Sequence, residues 1–158
     1  MQKFFLITIL LYSFSPQNAF GQDTASINKS WSYVKNKFNI QAQGVGNLSK
    51  ILADSTSEDK EQLKKISNEA VAFNKFLASF SQVTKPQLDE TKKMLTHLES
   101  SHTALEVLFD KYPKLKNRRK VQEQIALLTG NSNTLTFVLH GYNDVCRENK
   151  RLDLLFIK

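Results

Sequence analysis

The sequence predicts an all-α protein, and three observations lead to that fold class. Apolar residues recur at steps of three and four along four successive segments, which is the spacing of one helix face. No segment shows the strict alternation of apolar and polar residues that a half-buried strand requires. Short polar or proline-containing stretches separate the segments, and short connections make sequential helices antiparallel. We therefore expect an antiparallel up-and-down four-helix bundle with a long last helix.

Residues 1–21 have the three parts of a secretory signal peptide. A basic start at Lys3 precedes the apolar run of residues 4–14, and the small-residue spacing of a cleavage site ends at Gly21. A membrane-spanning helix needs about 20 apolar residues, and this run is much shorter. We expect cleavage after Gly21 and export of residues 22–158 to the periplasm or the extracytoplasmic face of the membrane. The alternative is an uncleaved N-terminal anchor, which would make a single-pass membrane protein.

The first two helices are predicted from apolar stripes, of which the first contains a single polar member, Gln41. Ser55-Thr56-Ser57-Glu58 has the sequence of a capping box, so we expect the second helix to begin there. The two stripes are Ile27, Trp31, Val34, Phe38, Gln41, Val45, Leu48 and Leu52, and then Leu63, Ile66, Ala70, Phe73, Leu77 and Phe80.

Gly44-Val45-Gly46 interrupts the first stripe. Each glycine inside a helix costs about 1 kcal/mol relative to alanine, which predicts a kink or a local break. We interpret the small residues as a way for a neighbouring helix to approach closely. A phosphate-binding loop would require a preceding strand and a third glycine or a Gly-Lys pair, and the sequence has neither.

Proline residues mark the boundaries of the third helix. Thr84-Lys85-Pro86-Gln87 predicts its start, because proline is tolerated in a first turn and glutamine can reach back to the cap. Tyr112-Pro113 predicts its end, because the residue before a proline is pushed out of the helical region. The last two stripes are Leu88, Thr91, Leu95, Leu98, His102, Leu105, Phe109 and Tyr112, and then Val121, Ile125, Leu128, Ser132, Leu135, Leu139, Tyr142 and Cys146.

The chain ends on the apolar segment of residues 154–158. It either folds back over the end of the bundle or forms a contact with a partner. We favour the first interpretation, which predicts that deleting this segment lowers stability.

Four phrases of the sequence stand out: Trp31, Asn47-Leu48, residues 112–116 and Tyr142-Asn143. In order and spacing they resemble the bacterial LemA family. Trp31 and Asn47-Leu48 stand where many members have a tryptophan and the end of Leu-Ile-Pro-Asn-Leu. Residues 112–116 resemble the family's Tyr-Pro-Asp-Leu-Lys, and Tyr142-Asn143 resembles a Tyr-Asn in its long last helix. The resemblance implies a helical-bundle protein of the cell envelope, in a family without a settled biochemical activity. The matching residues are Trp31, Asn47, Leu48, Tyr112, Pro113, Leu115, Lys116, Tyr142 and Asn143.

Three departures from the family fall on the predicted apolar stripes. Gln41, Ser132 and Leu139 replace an arginine, a glutamate and an arginine. Losing one partner of a buried ion pair costs about 3–5 kcal/mol, so losing all three charges together avoids that cost. We therefore expect a neutral core and a stability that is nearly constant from neutral to mildly acid pH. The family's second Tyr-Asn and its proline-containing tail are missing.

The sequence offers little support for catalysis or metal binding. His97 and His102 are five residues apart and project about 140° apart on a helix, whereas ligands on one helix need steps of three or four. His140 has one candidate partner, Asp144. Cys146 lies on a stripe and is the only cysteine, so we expect a small buried hydrophobe. We predict no catalytic residue, metal, cofactor or small-molecule substrate; the alternative is an envelope enzyme whose site forms only in three dimensions.

Six basic residues lie within ten positions, in a chain of formal net charge +7. The simplest interpretation is a solvated loop. The alternative hypothesis is docking to an anionic surface, either membrane headgroups or an acidic envelope protein. Nucleic acid is disfavoured by the predicted export and by the absence of aromatic residues between these charges. The six residues, which we call the basic cluster, are Lys111, Lys114, Lys116, Arg118, Arg119 and Lys120.

Overall fold

The computed structural model describes residues 17–156, and all regular elements in that range are helices. The predicted all-α class is confirmed, with two short elements more than expected, a one-turn helix and a 3-10 helix. Between residues 17 and 156, no helix combines the length and the apolar character needed to cross a bilayer. The elements are α1 (Gln17–Ala53), α2 (Lys60–Ala78), α3 (Lys85–Lys111), α4 (Pro113–Lys116), α5 (Arg119–Glu148) and a 3-10 helix (Leu152–Leu154).

The predicted signal peptide lies largely outside the described residues. Its last residues, 17–21, belong to the backbone of α1. Cleavage after Gly21 and the alternative of an uncleaved anchor both stay predictions.

Helix α1 is central to the packing, because its most extensive contacts are with both α2 and α5. Helix α3 packs against α2 and, less extensively, against α1. All members of the first two predicted stripes are buried, and Trp31 is 0% exposed. Full burial of a leucine or phenylalanine side chain contributes about 1.5–3 kcal/mol. These two stripes therefore form much of the core, as predicted.

The third and fourth stripes are correct only in part. His102 and Tyr112 are half-buried, and Ser132 is exposed. Asn131 is buried in place of Ser132 because its Nδ2 donates to Gln41 Oε1 at 3.1 Å and to the Lys37 carbonyl at 2.9 Å. Hydrogen bonds to α1 therefore compensate the burial of this polar residue of α5.

Of the predicted kink or local break at Gly44-Val45-Gly46, the break is wrong, because α1 continues through these residues; the kink stays a prediction. A Cβ added at Gly44 would lie 2.5 Å from Leu128 Cδ2 and 2.8 Å from Leu128 Cγ. A Cβ added at Gly46 would lie 3.4 Å from Ala70 Cβ. Gly44 therefore permits the close approach of α5, and Gly46 faces α2 at ordinary contact distance. The packing interpretation is confirmed.

The predicted start of α2 is also wrong, since the helix begins at Lys60. The hydroxyl of Ser55 donates to the Ile51 carbonyl at 2.8 Å, and the Thr56 N–H donates to the Leu52 carbonyl at 3.0 Å. These residues complete the end of α1. Ser55 is therefore not available to cap the next helix.

Both boundaries of α3 agree with the prediction. The Thr84 N–H donates to Gln87 Oε1 at 2.9 Å, which is the reach-back contact of a capping box. Helix α3 ends at Lys111, and Tyr112 leaves the helical region with φ −122° and ψ 66°. Pro113 then becomes the first residue of α4, where a missing N–H costs nothing.

The C-terminal segment folds back onto the core, as favoured from the sequence. Leu154 and Phe156 are buried. The Phe156 ring lies 5.5 Å from the Phe38 ring and 6.2 Å from the Trp31 ring, measured between centroids. The segment therefore adds apolar contact to α1. Residues 157–158 lie outside the described range.

Candidate functional site

The basic cluster surrounds the junction between α3 and α5, and all six residues are exposed. Lys111 ends α3, Lys114 and Lys116 lie on α4, and Arg118 precedes α5. Arg119 and Lys120 occupy the first turn of α5, where the helix dipole is positive and favours acidic residues. The helix dipole therefore does not explain these two charges.

Lys111 is held by the start of α2. Its Nζ lies 3.1 Å from both Glu58 Oε2 and Asp59 Oδ2. The Tyr112 hydroxyl lies 3.0 Å from the same Asp59 oxygen and 3.1 Å from the Glu58 oxygen. Hydrogen bonds to Tyr112 and to the two carboxylates raise the pKa of Lys111, and hydrogen bonds from Lys111 lower the pKa of both carboxyl groups. This network connects the α3 end to the start of α2.

Two further members of the basic cluster have carboxylate partners. Lys116 Nζ lies 2.9 Å from Asp110 Oδ1, and Arg119 Nε lies 2.8 Å from Glu123 Oε1. The Arg118 guanidinium donates to the Ser55 hydroxyl at 3.1 Å. Among the described residues, the members that lack a carboxylate partner are Lys114, Arg118 and Lys120. Half of the basic cluster is therefore neutralised locally, which the sequence analysis did not anticipate.

Three of the residues that resemble LemA meet in the core. The Trp31 and Tyr142 rings lie 5.1 Å apart between centroids, and the Tyr142 hydroxyl donates to the Leu154 carbonyl at 2.9 Å. Asn143 Nδ2 donates to the Phe156 carbonyl at 3.1 Å, and its Oδ1 accepts from the Phe156 N–H at 2.7 Å. Burial raises the pKa of Tyr142 above its usual range. These residues hold the C-terminal segment rather than line an open cleft.

The other matching residues also have structural contacts. Leu48 and Leu115 are buried. Asn47 is exposed, and its Nδ2 donates to Gln124 Oε1 at 3.3 Å, which connects α1 to α5. Pro113 begins α4. The matching residues are therefore explained by packing and by the connections between helices.

A groove of about 410 Å³ lies between α3 and α5. Leu48, Leu105 and Phe109 supply apolar lining, and half-buried His102 lies beside Glu106 at this groove. A more open and charged depression of about 930 Å³ follows α2 and includes the Glu58 and Asp59 carboxylates already paired with Lys111.

The candidate metal and nucleophile residues lie apart from one another. His97 and His140 are exposed, on α3 and α5. In the part of the chain that the structure describes, no three His, Cys, Asp or Glu residues are grouped closely enough to hold a metal ion. Cys146 is buried as predicted, its Sγ lies 3.8 Å from the Leu154 carbonyl oxygen, and burial raises its pKa.

Comparisons with known proteins assign no family to this chain. No family model matches it, and no curated protein or solved structure does so. The resemblance to LemA therefore depends on the sequence phrases alone.

Proposed function

We propose that this chain is a non-catalytic, LemA-like helical-bundle protein of the bacterial cell envelope that acts through contacts with another protein or an anionic membrane surface. The observation that carries the proposal is the exposed, carboxylate-free group within the basic cluster, Lys114, Arg118 and Lys120. The contacts of Trp31 and Asn143 agree with it, because they assign these matching residues to the core.

The arrangement that we propose is an antiparallel up-and-down bundle of α1, α2, α3 and α5, with α4 as a one-turn connection. Three hydrogen-bonded pairs support the antiparallel relation of α1 and α5. They join Ser26 to Asn149, Gln41 to Asn131, and Asn47 to Gln124. Residue numbers fall along α5 as they rise along α1. The contacts of α1 with α2, and of α2 with α3, are consistent with sequential packing.

Docking to an anionic bilayer would be weak and sensitive to salt. Each basic residue near such a surface contributes about 1 kcal/mol to the binding free energy. At physiological ionic strength, salt largely screens this attraction at distances beyond about 8 Å. The paired members, such as Lys116 with Asp110, contribute less because their carboxylates are repelled by the same surface. The unpaired cations would therefore provide most of the attraction.

Vesicle co-sedimentation tests the membrane part of the proposal. The full chain is mixed with phosphatidylcholine vesicles, with or without phosphatidylglycerol, at low and high salt. Binding should require phosphatidylglycerol and low salt, and Lys114→Gln with Arg118→Gln should weaken it by up to about 30-fold, since two charges contribute about 1 kcal/mol each. The matched control, Lys29→Gln with Lys75→Gln, removes the same charge from exposed positions outside the basic cluster.

Equal loss of binding in the two variants would contradict a role for this particular surface. Binding that is equally strong with and without phosphatidylglycerol would exclude docking to an anionic surface. The protein-contact part is then tested by affinity capture from the envelope fraction with the same two variants. A partner retained by the control and lost with the Lys114 and Arg118 changes would support it.

The envelope location rests on the signal-like sequence of residues 1–21. Mass spectrometry of the native protein from each cell fraction tests this part separately. An N-terminus at Gln22 in the periplasmic or membrane fraction is expected. A full-length chain confined to the cytoplasm would refute the proposed location.

A further inference from the structure

Helix α5 has a second face on which residues recur at helical spacing, and this face is separate from the one that packs on α1. From Lys120 to Glu148, residues at alternating steps of three and four are all exposed. Phe137 is 77% exposed and Leu127 is 48% exposed, so this side of the helix carries two large apolar side chains. We call this surface the outer face of α5, and it consists of Lys120, Glu123, Leu127, Gly130, Thr134, Phe137, Gly141, Asp144 and Glu148.

Two glycines on the outer face are not explained by packing within the chain. A Cβ added at Gly130 or Gly141 would meet no atom within 4 Å. Each glycine nevertheless costs the helix about 1 kcal/mol relative to alanine. Gly44 differs, because the close approach of Leu128 accounts for it. A helix from outside the chain that approaches α5 closely would account for both outer glycines.

The outer face is complementary in size to a second copy of itself. In an antiparallel pair of α5 helices centred on Thr134, Phe137 of one copy is level with Asn131 of the other and lies about 1.5 Å along the axis from Gly130, the outer-face residue that it meets. In the same register, Leu127 lies opposite Gly141. Two-fold symmetry makes each contact reciprocal. Each large apolar side chain of the outer face therefore meets a glycine.

The charges at the ends of the outer face are complementary in the same register. Lys120 of one copy lies opposite Glu148 of the other, and neither makes an ion pair with another described residue. Glu123 and Asp144 also approach each other, but each already pairs with an arginine of its own helix. The dimer therefore gains two Lys120–Glu148 contacts, one at each end. The carboxylates that approach each other, Glu123 and Asp144, each keep an arginine partner.

We propose that the chain forms a two-fold homodimer in which the outer faces of two α5 helices pack antiparallel about Thr134. The face is about 40 Å long at 1.5 Å per residue, with Phe137 and Leu127 as its apolar anchors. In this dimer, the basic clusters of the two copies lie at opposite ends of the helix pair.

Sedimentation equilibrium of the full chain over a range of concentrations measures the dimer directly. Gly130→Gln places a side chain where Phe137 of the second copy packs, and Phe137→Ala removes that anchor. Each should raise the dimer Kd at least tenfold. At concentrations where the unchanged chain is monomeric, the unfolding midpoint of the Gly130 variant should stay equal or rise. The control is Val107→Ala, which truncates a 65% exposed residue on α3 and should leave the Kd unchanged.

Cysteine cross-linking tests the register. Thr134 lies at the centre of the pairing, so Thr134→Cys should form an intermolecular disulfide under mild oxidation. Thr103→Cys, at an exposed position on α3, is the control and should not. Cys146 is left unchanged because it is buried.

Charge reversal tests the ends of the outer face. Lys120→Glu and Glu148→Lys should each weaken the dimer, and the two together should restore it. A chain that stays monomeric at all concentrations, or a dimer that is insensitive to Gly130→Gln and Phe137→Ala, would overturn the proposal. If Phe137 instead enters a lipid surface, Phe137→Ala would reduce vesicle binding of a monomeric chain, and the proposal would also be refuted.

Discussion

Replacing Gly44 with alanine tests whether the close contact of α1 and α5 determines the stability of the fold. The added Cβ would lie 2.5 Å from Leu128 Cδ2 and 2.8 Å from Leu128 Cγ. Leu128 is buried, and its Cγ cannot be moved by rotating a distal group alone. Either Leu128 must leave its preferred rotamer or the two helices must separate.

Two opposing contributions set the magnitude. Alanine is a better helix former than glycine by about 1 kcal/mol. Overpacking a core costs about 1–3 kcal/mol, because side chains and backbone must shift. Gly44→Ala should therefore lower the free energy of unfolding by up to about 2 kcal/mol. Gly130→Ala gains the same helix preference without a clash, since no atom lies within 4 Å of the added carbon. The two variants should differ by about 1–3 kcal/mol.

Urea denaturation followed by circular dichroism measures both variants. Leu128→Ala, alone and combined with Gly44→Ala, completes a double-mutant cycle. Leu128→Ala alone should cost about 2–5 kcal/mol, and it should cost less in the Gly44→Ala background because the methyl group occupies part of the space. The reasoning is refuted if Gly44→Ala stabilises the chain as much as Gly130→Ala, or if the effects of the two core changes simply add.

Four further predictions concern the C-terminal segment and pH, and all are measured by denaturation. Phe156→Ala should lower unfolding free energy by about 3–5 kcal/mol, and less than about 1 kcal/mol would contradict its packing role. Asn143→Ala leaves the Phe156 N–H and carbonyl without their hydrogen-bond partner, which should lower the free energy of unfolding by about 1–3 kcal/mol for each group. An unchanged denaturation midpoint would contradict this. Burial raises the pKa of Tyr142 and Cys146, so stability should fall above about pH 9, where only the unfolded chain loses these protons. Tyr142→Phe should flatten that fall. The Asp59 pKa is lowered, so the stability that its carboxylate contributes should be lost only below about pH 4.

The apolar periodicity predicted the inner faces of α1 and α2 because all but one of the stripe positions carry an apolar side chain, and the spacing also placed the buried exception, Gln41. The start of α2 was wrong because Ser55 can cap a following helix or complete a preceding one, and its hydrogen bond to Ile51 decides this. The ion pairs of Lys111 were missed for a related reason. Its partner Asp59 is 52 residues away in the sequence, and no local pattern reveals contacts between separate helices.

Helix α5 shows why the outer face could not be predicted as an interaction surface from periodicity alone. Its sequence has two sets of residues at steps of three and four, one containing Leu128 and Tyr142 and the other containing Leu127 and Phe137. A periodic pattern identifies a helix face but does not indicate what covers it. The structure places the first set against α1 and leaves the second exposed. An exposed face that keeps helix spacing, large apolar residues and glycines is best explained by a second helix, and the size match across Thr134 makes another α5 the helix that fits.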